Sequence, residues 1–365
     1  MNKLKNILDG APNRRSFLKN SLVAGAVATA GAGILGHPLS AFGEAEDEKS
    51  PTVTKGDIAI LRFLAAAELL EADLWQQYAE LGGVSFGKQN PYQKALQRLD
   101  GDGSQYISSN TLDEVSHAEF LNAYLIAKGA EPVDLDAFRT LPSSQASGAQ
   151  QIGRLTRLTN LTVDTSWYTR YRSADNPDFG ATFPQAIDLM NVTAIPRSDD
   201  DFAPKDHIQA IANTAAFHFG MIEQGGSTLY SAMVQKATNL EVLRIVVSIG
   251  GDEVAHFLEW VDFAGNGVQG PIAPFTDPTN GLTFPDFNAT GNPELQTNLI
   301  FPVPCEFIRP GLPHCAVIRP TSPKNIAMGV VNFLTGTGLF TGQSPEFFNQ
   351  LRKLAAHADA AKRGL

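Results

Sequence analysis

Two short segments of the chain pair an acid with an imidazole at a spacing that suits a metal ion. Residues 113–117 read Asp-Glu-Val-Ser-His and residues 252–256 read Asp-Glu-Val-Ala-His, so four of the five positions match. Positions three apart lie on the same face of a helix, so the Glu and the His of each segment converge on one point. A carboxylate and a neutral imidazole in that arrangement can ligate a first-row transition metal. One copy is weak evidence, whereas two copies on separate helices predict a shared metal centre.

The repeat supplies four candidate ligands, Glu114, His117, Glu253 and His256. A dinuclear centre inside a four-helix bundle needs one further carboxylate from each of the two remaining helices. The third predicted helix offers only Glu223, because no other acid lies between positions 206 and 241. We therefore predict Glu223 as the fifth ligand.

The first predicted helix contains two acids that would complete the set, Glu68 and Glu71. The outer face of this helix is marked by a cluster of polar residues: Arg62, Asp73, Gln77 and Glu80. At about 100° per residue, Glu71 falls almost opposite that cluster, and Glu68 lies about 45° from the inward direction. Glu71, like Glu223, is followed seven residues later by a tyrosine, whereas Glu68 is followed by a tryptophan. Glu71 is therefore the predicted sixth ligand, with Glu68 as the alternative or as a neighbour of a ligand.

Several other residues are expected to support the ligands or to lie apart from them. Tyr78 and Tyr230 lie two turns beyond Glu71 and Glu223 and are expected to be buried core residues, with a hydrogen bond to a ligand as the alternative. The aspartates at 113 and 252 are predicted to accept a hydrogen bond from the histidine of the opposite segment. Three histidines have no partner pattern and are expected to be structural or exposed: His207, His218 and His357.

The charge of the predicted cluster favours a bound metal. Four carboxylates balance two divalent ions, which leaves the buried site close to neutral. Without metal, four glutamates in one apolar core would repel one another and lose their hydration. The alternative is that some of these glutamates are protonated or face solvent, since acids on a helix are usually exposed.

Four helices must position these residues. Their predicted spans are 57–81, 93–128 or 104–128, 205–236 and 240–264, because helix-forming residues run through each span and breakers end it. The connection at residues 130–205 is rich in proline, and the sequence allows a short helix at 149–172. Two antiparallel helix pairs joined by one long crossover predict a mainly α fold, a four-helix bundle spanning residues 57–264.

The last hundred residues, 265–365, are predicted to form an irregular C-terminal extension that ends in helices. Short strands are expected at 299–301 and 316–318, and helices at 325–334 and 345–361. The two cysteines of the chain, Cys305 and Cys315, lie in a proline-rich part of this extension. Outside the cytoplasm they are expected to form a disulfide that closes a small loop, with a pair of thiols as the alternative.

The N-terminal region carries a targeting pattern. Residues 13–19 read Asn-Arg-Arg-Ser-Phe-Leu-Lys and precede a weakly apolar run at 21–36, which resembles a twin-arginine export signal. The run is too short and too rich in glycine for a membrane span. We therefore expect residues 1–43 to be a removed signal peptide, with an uncleaved anchor as the alternative, and residues 44–56 to be a linker. The predicted location is the periplasm or the extracellular space.

Composition sets further limits on function. A length of 365 residues allows a full hydrophobic core in one large domain or two ordinary ones. The net charge of −10 argues against a nucleic-acid partner, whose binding needs a basic surface. Part of this acidity belongs to the predicted ligand carboxylates.

The predicted ligands follow a pattern that resembles the ferritin-like superfamily: Glu71, Glu114-x-x-His117, Glu223 and Glu253-x-x-His256. Residues 68–75, Glu-Leu-Leu-Glu-Ala-Asp-Leu-Trp, are similar to the first helix of desiccation-related ferritin-like proteins. The resemblance covers about residues 57–264 and implies a ferritin-like bundle that binds two iron ions, with manganese as the alternative. It also implies that the matched glutamates and histidines are the metal ligands.

The resemblance implies an exported protein that reacts with a small-molecule oxidant, oxygen or peroxide, or that oxidises ferrous iron in stress protection. Members of the superfamily include di-iron oxidases, peroxidases, iron-storage proteins and dimanganese catalases, so the enzymatic activity stays open. The alternative is a non-catalytic envelope protein that protects drying cells and has a structural metal site or none. The export signal, the long crossover and the extension depart from compact ferritins and argue against cage assembly, and the oligomeric state is left open.

Overall fold

A computed structural model describes residues 52–84, 87–171, 184–291, 295, 302–306, 308–317 and 322–364. The predicted signal peptide, most of the linker after it and the predicted strand at 299–301 lie outside these residues. In chain order, the helices are α1 (Lys55–Gly82), α2 (Pro91–Leu99), α3 (Gly103–Ala127), α4 (Trp167–Arg170), α5 (Lys205–Met233), α6 (Leu240–Asn266), α7 (Ile326–Gly336) and α8 (Pro345–Ala360). The expected mainly α fold is confirmed.

The long helices α1, α3, α5 and α6 pack as two antiparallel pairs. In the first pair, Ser108 near the start of α3 accepts a hydrogen bond from the backbone N–H of Val84, just beyond the end of α1. In the second pair, Asn213 near the start of α5 donates to the carbonyl of Gly267, just beyond the end of α6. The pairs α1–α3 and α5–α6 have the most extensive helix–helix packing in the bundle.

The start of α1 is tied to the turn between α5 and α6. Thr54 and Asp57 form a capping box, in which each side chain accepts a hydrogen bond from the backbone N–H of the other residue. Asp57 also accepts a hydrogen bond of 2.8 Å from the N–H of Thr238. Asn239 follows directly and caps α6. One aspartate thus fixes both the first turn of α1 and the approach to α6, where two of the candidate ligands lie.

The predicted second helix consists of two helices. Asn90 caps α2, and Pro91 occupies the first turn, where its missing N–H leaves no hydrogen bond unmade. A tight turn at residues 100–102 separates α2 from α3. The sequence predicts a helix start near residue 93 or near residue 104, and in the structure a helix starts close to each of these positions.

The crossover between the two helix pairs is mostly irregular, and the short helix allowed at 149–172 is limited to the four residues of α4. Within the described part of that span only α4 is helical, and β1 (Leu161–Val163) pairs antiparallel with β2 (Leu189–Val192). The reason lies in the backbone N–H groups of Leu155 and Thr156. Both donate to the Asp73 carboxylate of α1, at 3.0 and 2.9 Å, instead of donating to carbonyls within a helix.

The crossover also covers the outer face of α1. Asp73 is fully buried and pairs with Arg139 at 2.8 Å. Gln77 donates to the Thr156 hydroxyl at 2.9 Å, and Glu80 pairs with Arg154 at 2.5 Å. Asp73, Gln77 and Glu80 of the polar outer face therefore point away from the bundle centre and contact the crossover.

The C-terminal extension contains two short hairpins and the two predicted terminal helices. Strands β3 (Phe275–Thr276) and β4 (Thr283–Phe284) pair antiparallel, as do β5 (Pro302–Val303) and β6 (Cys315–Ala316). The strand expected at 316–318 is thus shifted toward the N-terminus. The expected disulfide is not formed: Cys305 and Cys315 are separate thiols, because the register of this hairpin places Cys315 opposite Val303 instead.

Helices α7 and α8 pack against the bundle, α8 on α1 and α7 on α5. The Asp359 carboxylate of α8 accepts hydrogen bonds from the first N–H groups of α7, at Ala327 and Met328. Lys236, just after α5, donates to the carbonyl of Asp359 at 2.7 Å. Among the described residues, no helix has the length and hydrophobicity that a membrane span requires.

We predict that Asp73→Ala lowers the free energy of unfolding by about 3–5 kcal/mol, because three buried donors of the crossover lose their acceptor. Denaturant titration followed by circular dichroism measures this change. Asp136→Ala is the matched control, since Asp136 pairs with the same arginine but is exposed. Its stability should stay close to that of the parent chain. Equal losses in the two variants would show that Asp73 does not hold the crossover.

Candidate metal centre

The predicted ligands from all four long helices meet at the centre of the bundle. Each lies in at least one group of side chains whose ligand atoms are within 4.8 Å of one another. The cluster comprises Glu68 and Glu71 of α1, Glu114 and His117 of α3, Glu223 of α5, and Glu253 and His256 of α6. All are buried except Glu71, which is half-buried.

The first group contains Glu68, Glu114, His117 and Glu253. The Nδ1 atom of His117 lies 3.3 Å from Glu114, 3.5 Å from Glu68 and 3.7 Å from Glu253. One imidazole nitrogen and three carboxylates from three helices therefore surround one point. This donor set suits a divalent transition metal.

The second group contains Glu114, Glu223 and His256. The Nδ1 atom of His256 lies 3.0 Å from Oε1 of Glu114 and 3.4 Å from Glu223. The other oxygen of Glu114, Oε2, is the one that faces His117. Glu114 thus directs one oxygen toward each histidine, so its carboxylate would offer a ligand oxygen beside each imidazole.

Both acids of the first helix belong to the cluster, although the sequence had posed them as alternatives. Glu68 lies in the group around His117, and Glu71 lies with Glu223 and Glu253 in a third group. The two glutamates are three residues apart and so share one face of α1. Glu253 belongs to both of these groups and so links them.

The outer nitrogens of the two histidines contact aspartates of the opposite segment. Nε2 of His117 lies 3.2 Å from Asp252, and Nε2 of His256 lies 3.4 Å from Asp113. This is the exchange that the sequence predicted. An acceptor on one ring nitrogen orients the imidazole and directs the other nitrogen inward. Asp113, Asp252 and His256 also lie close enough to form a group of their own at the half-exposed outer side.

Asn110 is the principal site residue that the sequence analysis missed. Its amide nitrogen donates to Glu114 at 2.9 Å and to Glu223 at 3.1 Å, and its oxygen accepts from the indole N–H of Trp260 at 2.7 Å. Asn110 lies four residues before Glu114 and therefore on the same face of the helix. That spacing was the available signal. The amide joins two candidate ligands from different helix pairs.

The two tyrosines are buried, and one of them contacts a candidate ligand. The Tyr230 hydroxyl donates a short hydrogen bond to Glu68, whereas the Tyr78 hydroxyl bonds Nδ1 of His218 at 2.8 Å. His207 is buried between Asp201 and Asp277 at the start of α5. His207 and His218 are therefore structural, and His357 is exposed.

Gly226 of α5 makes room for one of the carboxylates. A Cβ atom at this position would lie 1.8 Å from Oε2 of Glu253. Gly250 of α6 has a similar role, because a Cβ there would lie 2.8 Å from Cβ of Tyr230. Glycine weakens a helix by about 1 kcal/mol relative to alanine. The close approach of α5 and α6 beside the cluster explains why both helices contain glycine there.

Many of the carboxylate oxygens lack a hydrogen-bond donor. Among the described residues, Oε2 of Glu68, Oε1 of Glu71, Oε2 of Glu223 and both side-chain oxygens of Glu253 are buried without a hydrogen-bond partner. Buried polar atoms are nearly always satisfied, so such a concentration requires an explanation. Bound cations supply one, since each of these glutamates offers an oxygen within 4.8 Å of the other candidate ligands in its group. The residues present therefore fit a metal centre.

Burial and mutual repulsion give the metal-free cluster a high affinity for protons. Burial and the neighbouring Glu223 raise the pKa of Glu114 to about 7. Burial and the surrounding glutamates also raise the pKa values of Glu71 and Glu253. Burial alone would lower the pKa of His117, but hydrogen bonds to carboxylates outweigh it and raise this pKa to about 12. Metal ions would replace protons on these side chains when they bind.

Two antiparallel helix pairs around a buried carboxylate–histidine cluster define a helical bundle with a candidate metal centre. The family described as ferritin-like domain matches residues 56–260. This match covers more than half of the chain and all of the cluster, and the protein belongs to that family. The resemblance inferred from the ligand pattern is thereby confirmed. No curated protein and no solved structure gave a match.

We predict that Gly226→Ala destabilises the protein and displaces Glu253, because the added methyl group and the carboxylate cannot occupy the same space. Thermal unfolding measures the loss of stability. Gly251→Ala is the matched control: this glycine lies in α6, and nothing surrounds its Cβ position within 4 Å. That variant should gain up to about 1 kcal/mol from helix propensity. A stable Gly226→Ala variant would contradict the described position of Glu253.

The stability of the metal-free protein should fall as pH rises from 5 to 8. Glu114 titrates at about 7 in the folded chain against 4.5 as its ordinary value, so the folded state holds the extra proton in that window. Stability decreases with pH wherever the folded state binds more protons. The raised pKa of His117 acts in the same direction above 6.5. Denaturant titrations at several pH values measure the slope, which should be smaller in Glu114→Gln, and an equal slope would contradict the titration of this group.

Proposed function

We propose that the cluster binds two divalent transition-metal ions, most suitably iron. The observation that carries this proposal is the set of buried carboxylate oxygens without donors, facing two imidazole Nδ1 atoms. One ion would be held by Glu68, Glu114, His117 and Glu253. The second would be held by Glu114, Glu223 and His256, with Glu253 near both. In this proposal the ligand from the first helix is Glu68, whereas the sequence favoured Glu71 for that position.

The charges of the cluster support two ions rather than one. It contains five glutamates, and two divalent ions supply four positive charges. Four of the five carboxylates would be neutralised, and the charge of the Glu71 carboxylate would remain. One ion would leave three of the five carboxylates to be compensated by protons or by imidazolium, because an uncompensated charge is strongly unfavourable in a core. Manganese satisfies the same donors and is the alternative metal, because carboxylate and imidazole ligands suit both.

Bound iron would supply two-electron chemistry with oxygen or peroxide, or the oxidation of ferrous iron. The chain itself orients the donors and excludes water. The half-exposed aspartates fix the two imidazole rings, and Asn110 holds Glu114 and Glu223 together. Trp75 and Trp260 stack at 5.2 Å between ring centroids and close the core beside Asn110.

We further propose that the protein acts outside the cytoplasm in protection against oxidative or desiccation stress. This part rests on the twin-arginine pattern at residues 13–19 and on the similarity of residues 68–75 to desiccation-related proteins. The alternative is a non-catalytic envelope protein with a structural metal site or none. The contacts of His117 and His256 with carboxylates favour the form of this alternative without metal, because protonated histidines would stabilise the cluster by themselves.

Metal analysis of the full chain after anaerobic loading with ferrous iron tests the proposal. We expect two ions per chain in the parent protein and a loss of at least one in Glu114→Gln, because Glu114 faces both histidines. Glu119→Gln is the matched control, since Glu119 lies on the same helix but is exposed. Two ions per chain in Glu114→Gln, or none in the parent, would contradict the proposed site.

Oxygen and peroxide consumption by the loaded protein then separates an enzyme from a structural site. Repeated turnover that is lost in Glu114→Gln and kept in Glu119→Gln supports redox chemistry. Tightly bound metal without turnover supports the structural alternative. A rise in melting temperature on loading accompanies either result, since a ligand at 100 times its dissociation constant stabilises by about 2.7 kcal/mol.

A further inference from the structure

A small apolar cavity lies beside the cluster, between α1 and α5 of the bundle and the two terminal helices. Its volume is about 60 Å³. Hydrocarbon side chains form nearly all of its wall, among them Phe63, Leu70, Val330, Leu334 and Phe340. A single water molecule needs about 10–15 Å³ on the same measure. The cavity is therefore large enough to accommodate a small molecule.

Glu71 connects this cavity to the candidate metal centre. Among the described residues that line the wall it is the one ionisable side chain, and it also lies in a group with Glu223 and Glu253. One of its oxygens is buried and lacks a hydrogen-bond partner among the described residues. Gly225 and Gly226 of α5 also line the cavity, and Gly226 packs directly against the Glu253 carboxylate.

The terminal helices supply part of the apolar wall. Val330 and Leu334 come from α7, and Leu351 comes from α8. The carboxylate of Asp359 caps α7 and so fixes the two helices relative to each other, while Lys236 ties them to the end of α5. Part of the C-terminal extension therefore covers one side of the cluster with hydrocarbon side chains.

We propose that this cavity is a binding site for dioxygen next to the metal centre. The proposal rests on the proposed function and narrows its oxidant to dioxygen. Dioxygen is small and apolar and loses no hydrogen bonds when it enters hydrocarbon. Hydrogen peroxide could donate one hydroxyl group to Glu71, but the surrounding hydrocarbon would leave the other hydroxyl without a partner. Burying an unsatisfied hydroxyl is costly. Apolar cavities of this kind stay dry and bind apolar guests such as xenon.

Xenon is the probe for the cavity, because its binding needs no metal and no turnover. We expect crystals of the full chain under xenon pressure to show xenon between Leu70 and Val330. Val330→Phe fills the space and should abolish that peak, whereas Leu334→Ala enlarges the space and should raise xenon occupancy. Val247→Phe is the matched control, since Val247 is 53 % exposed on α6, and it should keep the parent occupancy.

A kinetic measurement on the iron-loaded protein tests the assignment to dioxygen. In Val330→Phe the oxygen concentration for half-maximal ferrous oxidation should rise several-fold, while the reaction with added peroxide keeps its parent rate. Val247→Phe should leave both unchanged. If Val330→Phe does not fold, the opposite change in Leu334→Ala, a lower half-maximal oxygen concentration, carries the same test.

Two results would overturn the dioxygen site. One is the absence of xenon from the cavity, and the other is an unchanged oxygen dependence in variants that alter xenon occupancy. Neither result affects metal content, so the proposed metal centre would stand. Conversely, xenon binding in a chain that takes up no iron would overturn the proposed function, and with it the assignment of the cavity to dioxygen.

Discussion

The architecture depends on one electrostatic constraint: five glutamates and two histidines share a small volume inside a hydrophobic bundle. Carboxylates at such distances repel one another and lose their hydration, so they must be offset by protons, by imidazolium or by metal. The surrounding structure is arranged to tolerate this. Half-exposed aspartates hold the imidazoles, Asn110 links two glutamates, and a glycine gives Glu253 its space.

Most of the cluster could be predicted because its geometry is local. Glu114 and His117 are three residues apart on one helix, and the same relation recurs at Glu253 and His256, so helical periodicity alone makes each pair converge. The exchange of aspartates between the two segments followed from the same repeat. The decision between Glu68 and Glu71 could not be made in this way, because helical angles describe direction across the bundle and not position along it.

The parts that the sequence did not predict depend on contacts between distant residues. The segment after residue 149 is not helical before α4, since backbone N–H groups at 155 and 156 bind Asp73 of α1. For the same reason the polar face of α1 is buried. The cysteines do not pair, because hairpin register sets Cys315 opposite Val303. The apolar cavity beside Glu71 is formed only when α7 and α8 pack on the bundle, so its existence is a property of the assembled fold.

Anomalous diffraction at the iron edge, from crystals loaded anaerobically with ferrous iron, tests the central claim most directly. The account predicts two peaks. One lies among Glu68, Glu114, His117 and Glu253, and the other lies among Glu114, Glu223 and His256. The account would be contradicted by the absence of a peak in the bundle centre. A peak found only at the outer aspartates, Asp113 and Asp252, would contradict it equally.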